Sequence, residues 1–358
     1  MDRLENGAIN HKRTVFRPMN VHDHDPLRPR DGAETPRATA FADRRAPNAT
    51  LANRRRWLKL AGLCGAGAIA GIGFSAWSDW PAWNASDEEV LRRGQVPMPA
   101  TWPASIKRDT RFTGDRAITD RIAAARHTNF FEFSRFKSCW RYVESFQAFP
   151  WTLTVSGLCR KPLRFDYDEL VRRYATAFTE RLYRHRCVER WAMAVPWAGF
   201  PLAELLRDCD PLASATHVRF VSFSRPDEAP HQGSSRGKFP WPYVEGLTIA
   251  EALHELAFLA TGMYGEPLLK QHGAPLRLVV PWKYGYKSIK SIERIELVDA
   301  EPRTFWSSLN PEAYPFESNV DPEVPVPWPQ DSERMLGSQE QFPTRKYNGY
   351  GEWVARLY

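Results

Sequence analysis

The chain has 358 residues, enough for one large domain or two modest ones. Its formal net charge is +7, but residues 1–59 alone carry 13 Lys and Arg against 7 Asp and Glu. The remainder is almost neutral, so the charge distribution does not support binding to nucleic acid. The five cysteines form no C-x-x-C pair, which argues against a zinc ribbon or a thioredoxin-type site.

The N-terminal region resembles a leader followed by an export signal. Residues 1–50 are polar and lack apolar periodicity, which predicts a disordered leader. Within residues 51–77, Arg54 and Arg55 precede an uncharged, Gly-rich run at 60–77, as in a twin-arginine signal. This weakly hydrophobic run favours a signal over a permanent anchor, and the alternative is a buried helix behind a basic stretch. We therefore predict export to the periplasm by the twin-arginine machinery.

Residues 78–358 are predicted to form one catalytic domain of the α+β class with mixed β-sheets. Short strand and helix signals alternate along it without a strict βαβ rhythm, and no Gly-x-Gly-x-x-Gly turn supports a Rossmann site. The clearest signals are strands at 151–157, 276–280 and 292–298, helix caps at Asp166 with Glu169 and at Thr248 with Glu251, and a Pro-rich irregular segment at 321–329.

The first motif with chemical potential centres on Cys187. Arg184, His185 and Arg186 precede this cysteine directly. Such a positive field is expected to lower the pKa of the thiol and favour the thiolate, which is both a nucleophile and a soft-metal ligand. The local composition fits a structural thiol beside a basic run equally well.

The second motif is a basic segment between Arg277 and Lys290. Lys283 and Lys287 lie between these two residues, and Ser288 adds a hydroxyl beside a small-residue turn. Side chains and backbone N–H groups in this arrangement can bind a phosphate. The alternative is a solvated strand edge that uses lysine to prevent strand pairing.

In combination these segments resemble the molybdopterin enzymes of the sulfite-oxidase fold, specifically the catalytic subunits of periplasmic methionine-sulfoxide reductases. The resemblance extends from about residue 115 to residue 358. It is carried by several motifs in a fixed order: Arg186-Cys187-Val188-Glu189, Val195-Pro196-Trp197, Gly199-Phe200-Pro201-Leu202, Tyr243-Val244-Glu245-Gly246-Leu247, Gly273-Ala274-Pro275 and Pro281-Trp282-Lys283-Tyr284-Gly285.

The resemblance assigns roles residue by residue. Cys187 matches the cysteine that ligates molybdenum and is the implied catalytic residue. Ser222 stands where the family has Thr, and Thr128 and His272 stand where it usually has Asn. The positions that match the binding site for the pterin and its phosphate are Thr128, Phe131, Glu132, Ser222, His272, Arg277, Ser288, Ile289 and Lys290.

The resemblance implies a molybdenum-dependent oxygen-atom transfer, with one molybdopterin per chain, that reduces methionine sulfoxide in oxidised periplasmic proteins. The implied electron donor is a haem-bearing, quinol-linked membrane subunit. One alternative on the same scaffold is sulfite oxidation or the reduction of small S- or N-oxides. Two others are a cofactor-free hydrolase that pairs Cys187 with His185, and a non-catalytic periplasmic binding protein.

Overall fold

The computed structural model describes residues 85–235, 237–326 and 329–358. The predicted leader, the arginine pair and the apolar run at 60–77 lie outside the described residues. Within the described ranges, no helix is long and apolar enough to span a bilayer. Residues 85–358 belong to a single structural unit.

Eight short α-helices and twelve β-strands are present in the described ranges. The helices are α1 (Asp87–Gly94), α2 (Arg121–Arg126), α3 (Tyr167–Arg173), α4 (Leu202–Cys209), α5 (Pro230–Ser234), α6 (Ile249–Ala252), α7 (Phe305–Leu309) and α8 (Gly351–Val354). The strands are β1 (Thr152–Gly157), β2 (Leu163–Asp166), β3 (Thr179–Arg186), β4 (Trp191–Pro201), β5 (His217–Ser222), β6 (Val244–Thr248), β7 (Phe258–Met263), β8 (Glu266–Pro267), β9 (Arg277–Val279), β10 (Ile292–Val298), β11 (Ser332–Met335) and β12 (Gln341–Pro343).

The strands form two mixed sheets, which confirms the predicted α+β class. One sheet has the order β2-β1-β10-β5-β6, in which β1 and β10 are parallel and the other pairs antiparallel. The other contains seven strands in the order β12-β11-β4-β7-β8, with β3 paired to β4 and β9 paired to β7. Its only parallel pair in the described ranges is β11 with β4.

The local signals in the sequence correspond closely to these elements. The Asp166 side chain accepts a hydrogen bond from the Glu169 amide at 2.7 Å and begins α3. Thr248 and Glu251 form a reciprocal capping box at the start of α6. The strands predicted at 151–157, 276–280 and 292–298 are confirmed as β1, β9 and β10. The described part of the Pro-rich segment contains only turns and bends.

The hydrophobic core fills both faces of the long strand β4. Ten of its eleven residues are buried, including Trp197 and Phe200 at 0 % exposure. A strand buried on both faces must read as a continuous apolar run, as this one does. β4 is therefore a rigid support for the turn that precedes it, and this turn carries Cys187.

Candidate active site

Cys187 occupies the turn between the antiparallel strands β3 and β4. The Cys187 amide donates to the Trp191 carbonyl at 2.9 Å, and the Arg190 amide donates to the Cys187 carbonyl at 3.0 Å. Arg190 closes the turn with a φ of +74°, a left-handed conformation that is uncommon outside glycine. The backbone of Cys187 is thus fixed by hydrogen bonds on both sides, which suits a metal ligand.

Three side chains surround the thiol. The Asn129 amide nitrogen lies 3.3 Å from the Cys187 sulfur and donates to Glu189 Oε2 at 3.0 Å. Lys137 donates to the Glu189 carboxylate at 2.8 Å. The half-buried Asn129 is therefore oriented by a partly buried ion pair and points a donor at the sulfur.

The prediction that a positive field lowers the pKa of the Cys187 thiol is wrong for the protein without a bound metal. Burial, together with the Glu189 charge, raises the pKa of Cys187 to about 12. Arg184 pairs with Asp115 at 3.2 Å, and Arg186 pairs with Glu333 at 3.3 Å. The neighbouring cations therefore pair with other carboxylates, and the protein groups alone do not favour the thiolate. A metal ion bound at this sulfur would favour it by competing with the proton.

The geometry does not support a Cys–His hydrolase. The hydrogen bonds of the Cys187 sulfur that the structure describes involve Asn129 and Glu189. His185 instead packs its ring 5.8 Å from that of Trp191, and burial lowers the pKa of its imidazole well below the usual range. A base that neither contacts the nucleophile nor titrates near neutral pH is poorly suited to activate it.

Arg277 is a buried guanidinium at the start of β9, with an exposed fraction of 2 %. It donates to the carbonyl oxygens of His272 at 2.9 Å, Ser288 at 3.0 Å and Leu278 at 3.2 Å. Every acceptor that the structure describes for it is a neutral carbonyl, so its charge is solvated by dipoles and not neutralised by a carboxylate. Burial lowers the pKa of Arg277 accordingly.

Lys290 adds a second positive charge beside Arg277. Burial lowers the pKa of Lys290, and the charge of Arg277 lowers it further. The buried Glu132 carboxyl lies close enough for its charge to oppose this effect, and burial raises the pKa of Glu132. Ser222 is near both, because its hydroxyl donates to the Lys290 carbonyl at 2.8 Å and interacts with the Glu132 carboxyl.

Gly273 allows Lys290 to pack tightly against the turn before β9. Its φ is +96°, and a Cβ atom at this position would lie 2.7 Å from the Lys290 Cβ. Only glycine satisfies both the backbone angle and the space. This close approach aligns the turn before β9 with the segment 288–290.

His272 and Thr128 stand at the two positions where Asn was expected. The His272 Nε2 lies 3.2 Å from the Ala124 carbonyl, to which it can only donate. Its Nδ1 is buried and has no hydrogen-bond partner among the described residues, so a neutral His272 offers an acceptor there. The Thr128 hydroxyl instead contacts the Cys139 sulfur at 2.8 Å.

The remaining predicted residues contribute through the backbone or through packing. The Ser288 hydroxyl accepts from the Val280 amide at 3.1 Å, and the Ile289 carbonyl accepts from the Leu278 amide at 2.9 Å. The half-buried Phe131 ring packs against Trp306 at 5.1 Å. Ser288 and Ile289 therefore fix the segment that presents Lys290.

Two lysines of the basic motif lie in buried ion pairs of their own. Lys283 pairs with Glu251, and Lys287 lies 2.8 Å from Glu245. Both are about 1 % exposed, so the solvated strand edge considered above is also wrong. Convergence of all four basic residues on one phosphate is not observed, since Lys283 and Lys287 have carboxylate partners elsewhere. Arg277 has no carboxylate partner among the described residues, and Lys290 lies near the charge of Glu132.

These residues fit a phosphate-bearing pterin with a thiolate-bound metal. A buried arginine solvated only by carbonyls, with a lysine beside it, leaves excess positive charge that an anion would offset. The neighbouring His272 Nδ1 can accept an N–H donor of a heterocycle. The charge of Cys187 affects the pKa of Lys290, so the thiol and the cationic pair lie within electrostatic range of each other.

Sequence reasoning missed the three residues around the thiol. Glu189 was inside a quoted motif, and Asn129 lies between the predicted cofactor positions Thr128 and Phe131, where a lone amide within an aromatic run was the available signal. Lys137 gave no local signal, because it meets Glu189 only through the fold.

Comparisons with known proteins identify the family of the chain. Residues 142–306 match the family described as oxidoreductase molybdopterin binding domain. The chain is 49% identical over 254 residues to the protein-methionine-sulfoxide reductase catalytic subunit MsrP of Gluconobacter oxydans, covering 69% of this chain and 81% of that protein. It is 39% identical over 318 residues to the same subunit of Burkholderia mallei, covering 87% and 91%. The sulfane dehydrogenase SoxCD of Paracoccus pantotrophus aligns with 58% of this chain and 56% of its own, at 18% identity and a TM-score of 0.38.

The fold and the site thus define a molybdopterin-dependent oxidoreductase. Both catalytic-subunit relatives exceed 30% identity and are covered over most of their length. The chain belongs to the family of protein-methionine-sulfoxide reductase catalytic subunits.

Proposed function

We propose that this protein reduces methionine sulfoxide in exported proteins, with Cys187 as the protein ligand to molybdenum. The observation that carries the proposal is the buried Arg277, which has no carboxylate partner among the described residues, with the half-buried Lys290 beside it. The membership of the family supports the same reaction. In the overall reaction the sulfoxide gains two electrons and two protons, and it leaves as thioether and water.

The bound molybdenum centre would supply the two-electron oxygen-atom transfer. Arg277 and Lys290 offset the phosphate charge of the cofactor, and the 288–290 segment positions Lys290. Asn129 directs an N–H donor at the Cys187 sulfur, and the Lys137–Glu189 ion pair orients Asn129. Such donors around a metal-bound sulfur tune the electronic properties of the centre.

A continuous set of aromatic rings supports a methionine-derived substrate. Burial raises the pKa of the half-buried Tyr314, and the charges of Glu189 and Cys187 raise it as well, so this tyrosine lies within electrostatic range of the thiol. Tyr314 packs against Trp306 at 5.3 Å, and Trp306 packs against Phe131 at 5.1 Å. Sulfur-containing side chains make favourable contacts with aromatic rings, so this surface suits the flexible arm of methionine sulfoxide.

Metal analysis combined with a substrate comparison tests the proposal. Purified protein should contain about one molybdenum per chain, as a single molybdopterin site requires. It should reduce protein-bound methionine sulfoxide faster than small sulfoxides and should not oxidise sulfite at a comparable rate. Preferential sulfite oxidation would support the alternative on the same scaffold, and a metal-free protein would support the binding-protein alternative.

We further propose a periplasmic location, delivery by the twin-arginine machinery and a haem-bearing, quinol-linked membrane subunit as electron donor. The arginine pair before the uncharged run at 60–77 supports the route. Replacing Arg54, Arg55 and Arg56 together with Lys keeps the charge but removes every adjacent arginine pair. The variant should accumulate in the cytoplasm, whereas undiminished periplasmic delivery would contradict the signal assignment.

A further inference from the structure

Two cysteines outside the proposed reaction lie side by side in the fold. Cys159 is in the loop between β1 and β2, and Cys209 is the last residue of α4. The Lys161 amide donates to the Cys209 carbonyl at 3.0 Å, and Cys159 forms an antiparallel bridge with Pro211. The two segments are therefore held together by their backbones.

The two thiols lie near each other and differ in accessibility. The Cys209 thiol donates to the Leu206 carbonyl at 3.2 Å, and burial raises its pKa, with the nearby Cys159 side chain acting in the same direction. Cys209 is fully buried, whereas Cys159 is partly exposed. An oxidant from solvent would therefore reach Cys159 first, with Cys209 positioned to react next.

We propose that Cys159 and Cys209 form an intramolecular disulfide when the folded chain meets a disulfide oxidant. The Cys159 thiolate attacks the oxidant, forms a mixed disulfide and releases one thiol. The Cys209 thiolate then attacks the Cys159 sulfur, forms the internal S–S bond and releases the second thiol. The two cysteines lose two protons and two electrons, and the oxidant is reduced to two thiols.

This bond would join parts of the two sheets. The β1–β2 loop belongs to the five-stranded sheet, and α4 directly follows β4 of the seven-stranded sheet. Closing the segment of roughly fifty residues between the cysteines restricts the unfolded chain and thereby stabilises the folded one. Cys187 contacts neither thiol in the described structure, so the bond would stabilise the fold without entering the reaction.

Peptide mapping of the full-length protein tests the proposal directly. The native protein is treated with oxidised glutathione, alkylated in denaturant and digested with trypsin. Peptides 142–160 and 208–219, which contain Cys159 and Cys209, should appear as one species that separates on reduction. Peptides 138–141 and 187–190 should be recovered alkylated, because Cys139 and Cys187 remain thiols. Full alkylation of Cys159 and Cys209, or a link from either to another cysteine, would overturn the proposal.

Matched variants separate the bond from its consequences. Cys159→Ser should abolish the linked species, whereas Cys139→Ala should retain it. Reduction of the oxidised wild type should lower its midpoint temperature of unfolding by about 5 °C, and the Cys159→Ser variant should not respond to reductant. A linked species with an unchanged midpoint would contradict the stabilising role.

Discussion

The two sides of the candidate active site differ in how their charges are balanced. At the thiol, the Glu189 carboxylate is paired with Lys137, and the nearby arginines bind carboxylates elsewhere. At the cationic side, Arg277 is solvated by carbonyl oxygens alone, and Lys290 has only the charge of the buried Glu132 nearby. On the thiol side, protein groups thus balance one another's charges. On the cationic side, the charge of Arg277 has no such partner among the described residues, and a bound anion would balance it.

This difference predicts distinct effects of substitution. Substitutions on the thiol side should leave cofactor binding largely intact and alter the reactivity of the bound metal centre, because the polar side chains there already pair with one another. Changes on the cationic side should alter cofactor retention, because the cofactor neutralises that charge. The four predictions below proceed from the largest expected effect to the smallest.

Cys187→Ser should reduce sulfoxide reduction to background in a folded protein. Serine is close in size to cysteine, but its hydroxyl is a harder and far less acidic ligand, so the soft metal–thiolate bond is lost. Steady-state turnover and near-ultraviolet circular dichroism measure the two effects. Cys159→Ser serves as the matched control and should retain activity. Near-normal turnover by Cys187→Ser would remove the cysteine from its proposed role.

Arg277→Glu should leave the purified protein with little molybdenum. The substitution places a negative charge where a phosphate is expected, and two such charges about 4 Å apart repel by ~4 kcal/mol at an effective dielectric constant near 20. Metal content per chain is the measurement. Arg207→Glu is the control, because Arg207 is an exposed side chain paired with Glu204. Equal metal content in the two variants would place the phosphate elsewhere.

Whether the sequence could predict a feature of the fold or the site depends on how far apart the interacting residues lie along the chain. The caps at Asp166 and Thr248 were predictable, because each involves residues three apart in the chain. The charge around Cys187 was not, because the partners of Arg184 and Arg186 lie 69 and 147 positions away in the sequence at Asp115 and Glu333. A run of basic residues therefore indicates the local composition of charge but not the field at a buried atom.

The same reasoning applies to the basic motif. Arg277, Lys283, Lys287 and Lys290 look equivalent in the sequence, but the fold gives Lys283 and Lys287 buried carboxylate partners. The family resemblance selected Arg277 and Lys290 from this set, and the structure supplies a physical reason for the choice. The sequence could not show that Lys283 and Lys287 are the two lysines with carboxylate partners, because Glu251 and Glu245 belong to other elements of the fold.

Lys290→Met should separate cofactor retention from stability. Methionine keeps the length of the side chain but removes a charge whose pKa is lowered by burial, and burial raises the pKa of the neighbouring Glu132 to about 7. At mildly acidic pH, where Glu132 is protonated and leaves no unpaired charge, the cofactor-free protein should therefore be about as stable as the wild type. Molybdenum content should nevertheless fall, because one of the two phosphate-facing cations is missing. Chemical denaturation of the cofactor-free protein and metal analysis give the two values. A variant that is less stable but fully loaded would indicate a structural role for Lys290.

Asn129→Ala should give the smallest effect and act on turnover more than on metal content. The substitution removes the N–H donor 3.3 Å from the Cys187 sulfur and one of the donors to Glu189, while Lys137 and the Trp191 indole still contact that carboxylate. Loss of a hydrogen bond to a metal ligand typically costs 10- to 100-fold in affinity or activity, so we expect kcat to fall by about tenfold or more. The molybdenum midpoint potential, followed by electron paramagnetic resonance, should shift, because the sulfur loses a donor that stabilises its negative charge. Asn129→Gln retains the amide on a longer arm and should recover part of the potential. If Asn129→Ala instead lost its molybdenum while its potential in the loaded fraction stayed unchanged, the contrast between the two sides of the site would be wrong at this residue.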